Sequence, residues 1–318
     1  PLAMPLNAKN PLEFPGLIRD LGRLVREFRP DVVNCHRGES FLFWGLLKGM
    51  GGYALVRTRG DQRQPKGNLP NRILHTRVAD AVVATNSVMA RHFAEKMRVP
   101  AERLHMILGG VDTERFRFDS EGRMEVRARY GFTNDECVVG LLGRFDLVKG
   151  QRETIAALAK LVGEGVRNIR LMLLGFSTAT LQEEVEAWIR EAGMERYVTI
   201  TGKVPDVTAC LSALDVGVVA SLWSETIARA ALEIMACGRP LVSTSVGVMP
   251  DLLPASALVA PGDVDALAGV LRRAATDEAW RQDLAGHCSE RIMTLRDQDF
   301  LEQTLAVYTE ACRRRCSS

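Results

Sequence analysis

Two carboxylates and two cations stand at spacings that suit a phosphorylated ligand. Glu225 and Glu233 lie in a stretch whose apolar positions follow a helical period. On one helix they would be separated by roughly 12 Å along the axis. That distance is too long for the two to share a proton, but it suits the two ends of an extended polar ligand. Arg144 and Lys149 belong to a glycine-bounded turn, Gly143–Gly150.

The residues around Glu225 predict a strand, a polar turn and a helix. The apolar run 215–220 reads as a buried parallel strand, and Ser224 is predicted to cap a helix that begins at Glu225. Gly238 and the proline that soon follows would end this helix. Its N-terminus would present unpaired N–H groups and a positive dipole end, which favour a phosphate. An ordinary acid in a first helical turn is the alternative interpretation of Glu225.

The turn 143–150 is likewise predicted to lie between a strand and the helix that follows it. It follows the apolar run 137–142 and precedes a helix predicted to reach about residue 162. A glycine-rich turn in this context lets backbone N–H groups approach a phosphate. Arg144 can donate two parallel hydrogen bonds to a diphosphate, and Lys149 adds a point charge. Taken alone, such cations are more often simply solvated.

Strands and helices alternate along the whole chain, which predicts an α/β fold with parallel sheets. The first series has strands at 31–35, 53–58, 81–85 and 104–108. A polar stretch, 119–135, precedes the second series, whose strands are predicted at 137–142, 169–174, 198–201, 215–220, 241–245 and 257–260. The predicted domains are 1–118 and 119–295, and a terminal segment, 296–318, contains one helix.

Composition narrows the class of protein. The 318 residues are 47% hydrophobic and carry a net charge of +2, yet residues 1–100 hold 16 Lys and Arg against 8 Asp and Glu. A basic first domain favours an anionic acceptor or an anionic membrane face, although a domain can also be basic without a partner. Few aromatic residues accompany the basic ones, which argues against nucleic acid. Seven scattered cysteines indicate a reducing cytoplasm, without structural zinc or disulfides.

No apolar run approaches the roughly 18 residues that a membrane span needs, and the N-terminus lacks the pattern of a signal peptide. The predicted location is therefore the cytoplasm, including the inner face of the plasma membrane.

The spacing of the second half resembles a known signature. The retained residues are Glu225, Leu232, Glu233, Met235–Gly238, Pro240, Gly247 and Pro250. With the GRxxxxKG turn at 143–150, they resemble the donor site of retaining GT-B glycosyltransferases of family 4. The chain departs from the pattern at Thr226, Ile227 and Ala228, where the family usually has Gly-Phe-Gly against the donor sugar.

This resemblance implies an architecture of two Rossmann-like parallel-sheet domains facing a cleft. The second domain would hold the donor, and the terminal helix would cross back to the first. In the family the first domain begins with a strand and a glycine-rich loop. Because neither precedes Pro1, the expectation is a first domain without its N-terminal strand.

The resemblance also assigns roles to residues. His36, at the end of a strand reading DVVNCH, would lie near the reactive carbon of the donor sugar; the alternative is a surface or structural histidine. The turn at Lys203 and Val204 would meet the nucleobase, with an ordinary strand-end turn as the alternative. Arg59 and Asp61 would face the cleft. The predicted catalytic residues are His36, Arg144, Lys149 and Glu225, and the predicted donor-binding residues are Gly143, Gly175, Lys203, Val204, Thr226, Ile227, Ala228 and Glu233.

The predicted activity is transfer of a sugar from a UDP-, GDP- or ADP-sugar to an acceptor, with retention and by same-face attack. No metal or other cofactor is expected, because cations would serve the diphosphate instead. The expected acceptor is a cell-envelope glycan, a lipopolysaccharide or a related glycolipid, and peripheral contact with an anionic membrane is expected. Two alternatives are a nucleotide-sugar epimerase of similar fold and a nucleotide-sugar-binding protein without turnover.

Overall fold

A computed structural model describes residues 13–60 and 63–316, which divide into two compact units. Unit 1 combines the described residues up to Leu108 with those from Phe300 onward, and unit 2 is Gly109–Asp299. The stretch 1–11, for which the sequence predicts a loop, and the predicted cleft residue Asp61 lie outside the described residues.

Unit 1 is built on a four-stranded parallel sheet with the strands in chain order. The strands are β1 (Val32–Cys35), β2 (Ala54–Arg59), β3 (Ala81–Ala84) and β4 (Leu104–Met106). Helix α1 (Phe14–Phe28) precedes β1. The strands are joined by α2 (Gly38–Gly51), by α3 (Leu69–Ile73), which continues into a π-helical turn, Leu74–Val78, and by α4 (Ser87–Glu95). All four strands stand within a few residues of their predicted positions.

The sequence predicts Ser87 as the cap of a helix over 88–97, and the observed cap of this helix, α4, differs. Ser87 is the first helical residue rather than the N-cap, and the side chain of Asn86 accepts a hydrogen bond from Met89 N at 2.8 Å. Asparagine and serine are both good N-caps, so the adjacent pair left the sequence ambiguous by one residue.

The terminal helix α13 (Asp297–Cys316) covers one face of the unit 1 sheet. Val307 and Ala311 are buried against Ala54 and Val56 of β2 and against residues of β3. The Asn34 side chain of β1 also donates to Tyr308 Oη at 2.7 Å. Apolar side chains from α2 and α4 cover the opposite face, as a parallel sheet buried on both sides requires.

Unit 2 contains a six-stranded parallel sheet in the order β10-β9-β8-β5-β6-β7. Its strands are β5 (Cys137–Leu142), β6 (Ile169–Leu174), β7 (Val198–Ile200), β8 (Val216–Val219), β9 (Leu241–Thr244) and β10 (Leu258–Val259). The helices are α5 (Ser120–Tyr130), α6 (Gln151–Gly163), α7 (Gln182–Glu191), α8 (Val207–Ser212), α9 (Arg229–Ala236), α10 (Met249–Leu252), α11 (Val264–Thr276) and α12 (Glu278–Ile292).

The polar stretch before β5 is a helix with a structural role. Asp119 caps α5 by accepting from Gly122 N at 3.0 Å. Arg123 and Arg127 of α5 form ion pairs with Asp215 at 2.7 and 3.0 Å, and Arg127 is buried. Burial acts to raise the pKa of Asp215, but the hydrogen bond from Val138 N at 2.8 Å and the two arginines hold that pKa below its ordinary value. Since α5 buries charged groups, the sequence gives it little apolar periodicity.

His75 in the π-helical turn predicts a pH-dependent stability for unit 1. The imidazole is buried between the rings of Phe41 and Phe93, and its Nδ1 lies 2.7 Å from Asn71 O. Burial, assisted by nearby arginines, lowers the pKa of His75 to about 4. Because the unfolded chain binds this proton near the ordinary histidine pKa, stability is lost as pH falls between the two values.

We expect this group to remove about 3 kcal/mol of the free energy of unfolding between about pH 7 and about pH 4. Urea unfolding at a series of pH values measures this, and a His75→Gln variant is the comparison. An equally steep pH dependence in the variant would show that other groups are responsible.

Candidate functional site

The two predicted ligand-binding loops of unit 2 follow neighbouring strands, β5 and β8. The chain runs outward from β5 through β6 to β7, then returns to β8 on the other side of β5. In open α/β sheets, ligands bind outside the carboxyl ends of the strands at such a reversal of strand order. The parallel register therefore places both loops where this fold binds ligands.

The loop after β5 is ordered by its own side chains. Asp146 accepts from Val148 N at 3.1 Å and pairs with the exposed Arg144 at 3.0 Å. Gln151, buried at the start of α6, donates to Arg144 O at 2.9 Å. The Arg144 guanidinium stays accessible to an incoming anion, while its backbone is fixed.

Gly150 sets the distance between this loop and the loop after β8. Its φ is +69°, and an added Cβ would lie 2.0 Å from Ala220 O. Leu222 N donates to Val148 O at 2.9 Å, so the two backbones are in direct contact. Any side chain at position 150 would separate them.

Glu225 is the centre of the contact between the loops. Its carboxylate is buried and accepts hydrogen bonds from Ser221 Oγ at 2.6 Å and from Lys149 Nζ. Lys149, half-buried, therefore spans from the loop after β5 to the loop after β8. Ser221 was not predicted as a site residue; its position at the end of β8 was the available signal.

The prediction that a helix begins at Glu225 is wrong. Helix α9 begins at Arg229, so Ser224 is not its N-cap and Glu225 is not in its first turn. The reason is tertiary: Glu225 O accepts from Val248 N of the loop after β9 at 2.8 Å, and Ala228 adopts a left-handed conformation with φ 52°. The expected 12 Å axial separation from Glu233 on one helix therefore does not apply.

The left-handed Ala228 stands at one of the departures from the family pattern. The family usually carries glycine here, and glycine adopts positive φ without the steric cost that other residues meet. Ala228 is buried and takes the same conformation with a methyl group. Thr226 is half-buried, and Ile227 is exposed beside Gly109, whose added Cβ would lie 2.5 Å from Ile227 Cγ2.

Glu233 lies on α9 and is half-buried. Burial raises its pKa, and Arg229 and Arg115 only partly offset this effect. Within the described chain, no hydrogen bond is donated to its carboxylate. A desolvated carboxylate of this kind is well suited to accept hydrogen bonds from the hydroxyl groups of a ligand.

We expect Glu233→Gln to raise the stability of the ligand-free protein and to weaken nucleotide binding. The raised pKa means that folding disfavours the charged carboxylate at neutral pH, so the ligand-free variant should unfold at higher urea concentration. Loss of charge-assisted hydrogen bonds should weaken nucleotide binding by about 10- to 100-fold. Unfolding curves and calorimetry measure the two effects. A variant that binds nucleotide as tightly as the parent would contradict the assignment.

The remaining predicted donor-site residues follow β5, β6 and β7. Gly143 precedes Arg144, and Gly175 packs beneath it, since an added Cβ on Gly175 would lie 2.1 Å from Gly143 O. Lys203 and Val204 follow β7, where Lys203 Nζ lies 4.8 Å from the centre of the exposed Phe176 ring. Phe176 was not singled out from the sequence, although it is an aromatic residue directly after a strand.

His36 and Arg59 belong to unit 1. His36 follows β1 and is exposed over much of its surface, while partial burial of its ring and the nearby Arg57 lower its pKa. Arg59 is buried at the end of β2 and donates to Arg63 O. In unit 2, by contrast, Gly143, Lys149, Gly175 and Glu225 form one cluster.

Metal ligands are not grouped in the part of the chain that is described: no three His, Cys, Asp or Glu side chains could hold an ion there. The Asp-x-Asp triplet at 297–299 places Asp299 against Arg296 at 2.9 Å.

Two family models match the chain. One, described as Glycosyltransferase Family 4, matches residues 1–115, and the other, described as Glycosyl transferases group 1, matches residues 136–277. The chain belongs to glycosyltransferase family 4.

Curated relatives of this family 4 chain share about a quarter of its residues. A D-inositol 3-phosphate glycosyltransferase of Segniliparus rotundus is 26% identical over 275 residues, which cover 81% of this chain and 58% of that protein. An MMP alpha-(1->4)-mannosyltransferase of Mycolicibacterium hassiacum is 27% identical over 240 residues, covering 73% and 54%. The family 4 chain therefore spans little more than half the length of these relatives.

Solved structures share the fold. A glycosyltransferase from Rickettsia africae matches with a TM-score of 0.84 at 17% identity, covering 98% of this chain and 84% of that one. HepE from Anabaena, solved in complex with UDP, matches with a TM-score of 0.81 at 20% identity, covering 92% and 82%. The predicted GT-B fold of this family 4 chain is confirmed.

Proposed function

We propose that this chain transfers a sugar from a nucleoside-diphosphate-sugar to an acceptor hydroxyl, with retention of configuration. The observation that supports this best is the meeting of Lys149 and Glu225 outside the carboxyl ends of β5 and β8, where the strand order reverses. A cation held half-buried at that place suits a diphosphate whose charge grows as it leaves.

Seven of the predicted residues receive a role in this proposal. Arg144, which is accessible, and Lys149 bind the diphosphate, and they act more strongly on the departing group than on the bound substrate. Glu225 orients Lys149 and accepts from a sugar hydroxyl, and Glu233 accepts from hydroxyl groups of the nucleoside. Lys203 and Val204 contact the base. His36 is proposed as a further catalytic residue, as the resemblance implies.

The reaction exchanges one bond at the anomeric carbon. The bond to the diphosphate oxygen breaks, and a bond to the acceptor oxygen forms on the same face. The acceptor proton moves to an oxygen of the leaving phosphate, so charge and atoms balance without a metal ion. Same-face attack is proposed by analogy with the family, and Glu225, which holds Lys149, is not assigned as a nucleophile.

UDP-sugars are the donor class to test first, because HepE from Anabaena was solved with UDP-glucose. Of the curated relatives, one is named a D-inositol 3-phosphate glycosyltransferase and another a mannosyltransferase. Neither name specifies a nucleotide, so GDP- and ADP-sugars are further candidates. The proposed acceptor is a cell-envelope glycan or glycolipid bound by the basic unit 1 at the cytoplasmic face of an anionic membrane.

Calorimetry with UDP-, GDP- and ADP-sugars, combined with product analysis, tests the proposal. We expect tight binding of one nucleotide class and formation of a glycoside when acceptor is supplied. Binding without transfer or hydrolysis of any donor would support a nucleotide-sugar-binding protein instead. Interconversion of free nucleotide-sugars would support an epimerase, which the two glycosyltransferase family models disfavour.

A further inference from the structure

A cavity of about 510 Å³ lies in unit 1 at the carboxyl end of β2. The start of α2, the end of β2 and the π-helical turn after α3 contribute its walls. Small-molecule sites occupy roughly 300–1,000 Å³, and open α/β sheets bind ligands outside the carboxyl ends of their strands. All the described lining residues belong to unit 1, so this cavity is separate from the donor site of unit 2.

Two buried arginines of β2 line the cavity. Arg57 and Arg59 are 1% and 9% exposed. Alternate residues of a strand lie on the same side of a sheet, and this is the side on which Leu55 packs into the core with Phe41. Arg57 Nη1 donates to Cys35 O at 2.6 Å, which fixes the guanidinium in place. Because a cation loses hydration when it is buried, two of them at one strand end favour a negatively charged ligand.

The first turn of α2 adds backbone donors beside Arg59. The side chain at the N-cap position, Arg37, makes no capping hydrogen bond, so it leaves the first N–H groups of this 14-residue helix for other acceptors. An added Cβ on Gly38 would lie 4.0 Å from Arg59 Nη1. Glu39 is the only acidic residue among the described lining residues, and it is exposed. A helix start next to a cation is well suited to bind an anion.

His75 provides a hydrogen-bond acceptor in the same cavity. Its ring is 3% exposed, and its Nδ1 lies 2.7 Å from Asn71 O. Since a carbonyl oxygen can only accept, Nδ1 carries the proton and Nε2 is the acceptor. Burial lowers the pKa of this histidine to about 4, so the ring is neutral at pH 7. Among the described residues, no group donates to Nε2, which is therefore left for a hydroxyl group of a ligand.

Aromatic rings form the apolar part of the lining. Phe14 and Phe43, whose ring centres are 5.1 Å apart, line the cavity together with Phe41. Apolar and aromatic walls with a few placed polar groups are typical of small-molecule sites. The cavity thus combines cations, a neutral acceptor for a hydroxyl group and an apolar surface for a ring.

We propose that this cavity of unit 1 binds a sugar or other polyol that carries a phosphate or carboxylate group. The anion would lie between the first turn of α2 and the guanidinium groups of Arg57 and Arg59, and a hydroxyl group would donate to His75 Nε2. This ligand would be the acceptor of the proposed transfer reaction, or the anionic end of a larger acceptor. Only that identification rests on the proposed function.

Amide NMR titrations of the full chain without nucleotide test the site, with glucose 6-phosphate, glucuronate and glucose as probes. We expect the Gly38 and Glu39 amide resonances to shift with at least one of the two anionic probes, and glucose at the same concentration to leave them unmoved. The tighter of the two anionic probes shows whether the site prefers a phosphate or a carboxylate. Absence of a shift with both anionic probes, or an equal shift with glucose, would overturn the proposal.

Substitution of Arg59 tests the contribution of the guanidinium. Arg59→Gln should weaken binding of the anionic probe at least about tenfold, because a charge-assisted hydrogen bond is lost. Arg59→Lys keeps the charge without the fork of donors and should recover part of the affinity. The matched control is Arg26→Gln, at an exposed position in the last turn of α1, which should bind as the parent does. Unfolding curves confirm that each variant is folded. Equal affinities of the Arg59 variants and the control would refute the role of this cation.

Substitution of His75 tests the hydroxyl contact. In the parent, the anionic sugar should bind about 2- to 10-fold more tightly than the bare anion, inorganic phosphate or acetate, which is the usual effect of one hydrogen bond. His75→Phe should abolish this difference, and a variant that retains it would exclude the contact.

Calorimetry with nucleotide on the same variants separates this inference from the proposed function. Nucleotide affinity should stay at the parent value in the Arg59 and His75 variants, because the cavity lies in unit 1. Shifts at Gly38 and Glu39 in a protein that transfers no sugar would contradict the proposed function and leave the anion site in place. Sugar transfer without such shifts would contradict the anion site alone.

Discussion

Replacing Gly150 with alanine is expected to abolish nucleotide binding and to lower the free energy of unfolding of unit 2 by about 2–5 kcal/mol. Two effects contribute. A Cβ at φ +69° carries the cost of the left-handed conformation, and the same atom would lie 2.0 Å from Ala220 O. The loop after β8 must then move away from the loop after β5, and the contact between Lys149 and Glu225 is lost with it.

Gly131→Ala is the matched control for this prediction. Gly131 has the same φ of +69° at the end of α5, and an added Cβ there meets no atom within 4 Å. Its loss of stability should therefore be limited to the conformational cost, about 1–2 kcal/mol, and nucleotide binding should persist. Urea unfolding measures the stability of both variants, and calorimetry measures their nucleotide binding. Equal effects of the two substitutions on binding would mean that loop contact at Gly150 does not shape the site.

Replacing Lys149 with alanine is expected to reduce kcat/KM for transfer by about 10²- to 10³-fold, the usual effect of removing one donor to a developing charge. It also leaves the buried Glu225 carboxylate with Ser221 as its remaining hydrogen-bond donor among the described side chains. A carboxylate that loses a charged partner in a buried place destabilises the fold by about 1–3 kcal/mol. Steady-state kinetics and unfolding curves measure the two effects separately.

Comparing the loss of kcat with the loss of donor affinity identifies the role of Lys149. If the cation acts mainly on the departing diphosphate, kcat should fall more than donor affinity does. Lys149→Arg should recover part of the activity because it keeps the charge. Lys160→Ala is the control, since Lys160 pairs with the exposed Asp265 at the surface of unit 2 and such pairs contribute little. Normal turnover by Lys149→Ala would remove the residue from the mechanism.

Much of the fold could be predicted from the sequence because parallel strands are continuous apolar runs. The bounds of β5 and β6 agree with those predicted, Cys137–Leu142 and Ile169–Leu174. These strands are buried on both faces, so hydrophobicity alone marks where they begin and end. Element ends set by side-chain caps were harder, as Asn86 in place of Ser87 shows.

The sequence by itself determined the two units of parallel sheet, the family, and the two loops that carry Lys149 and Glu225, because strand periodicity and residue spacing are local properties. Only the tertiary structure decided that β5 and β8 are neighbours, and that Glu225 lies in a loop rather than in α9. The bond from Val248 N to Glu225 O and the left-handed Ala228 set that conformation. Contacts between residues distant in sequence override helical preference there, and no local pattern records them.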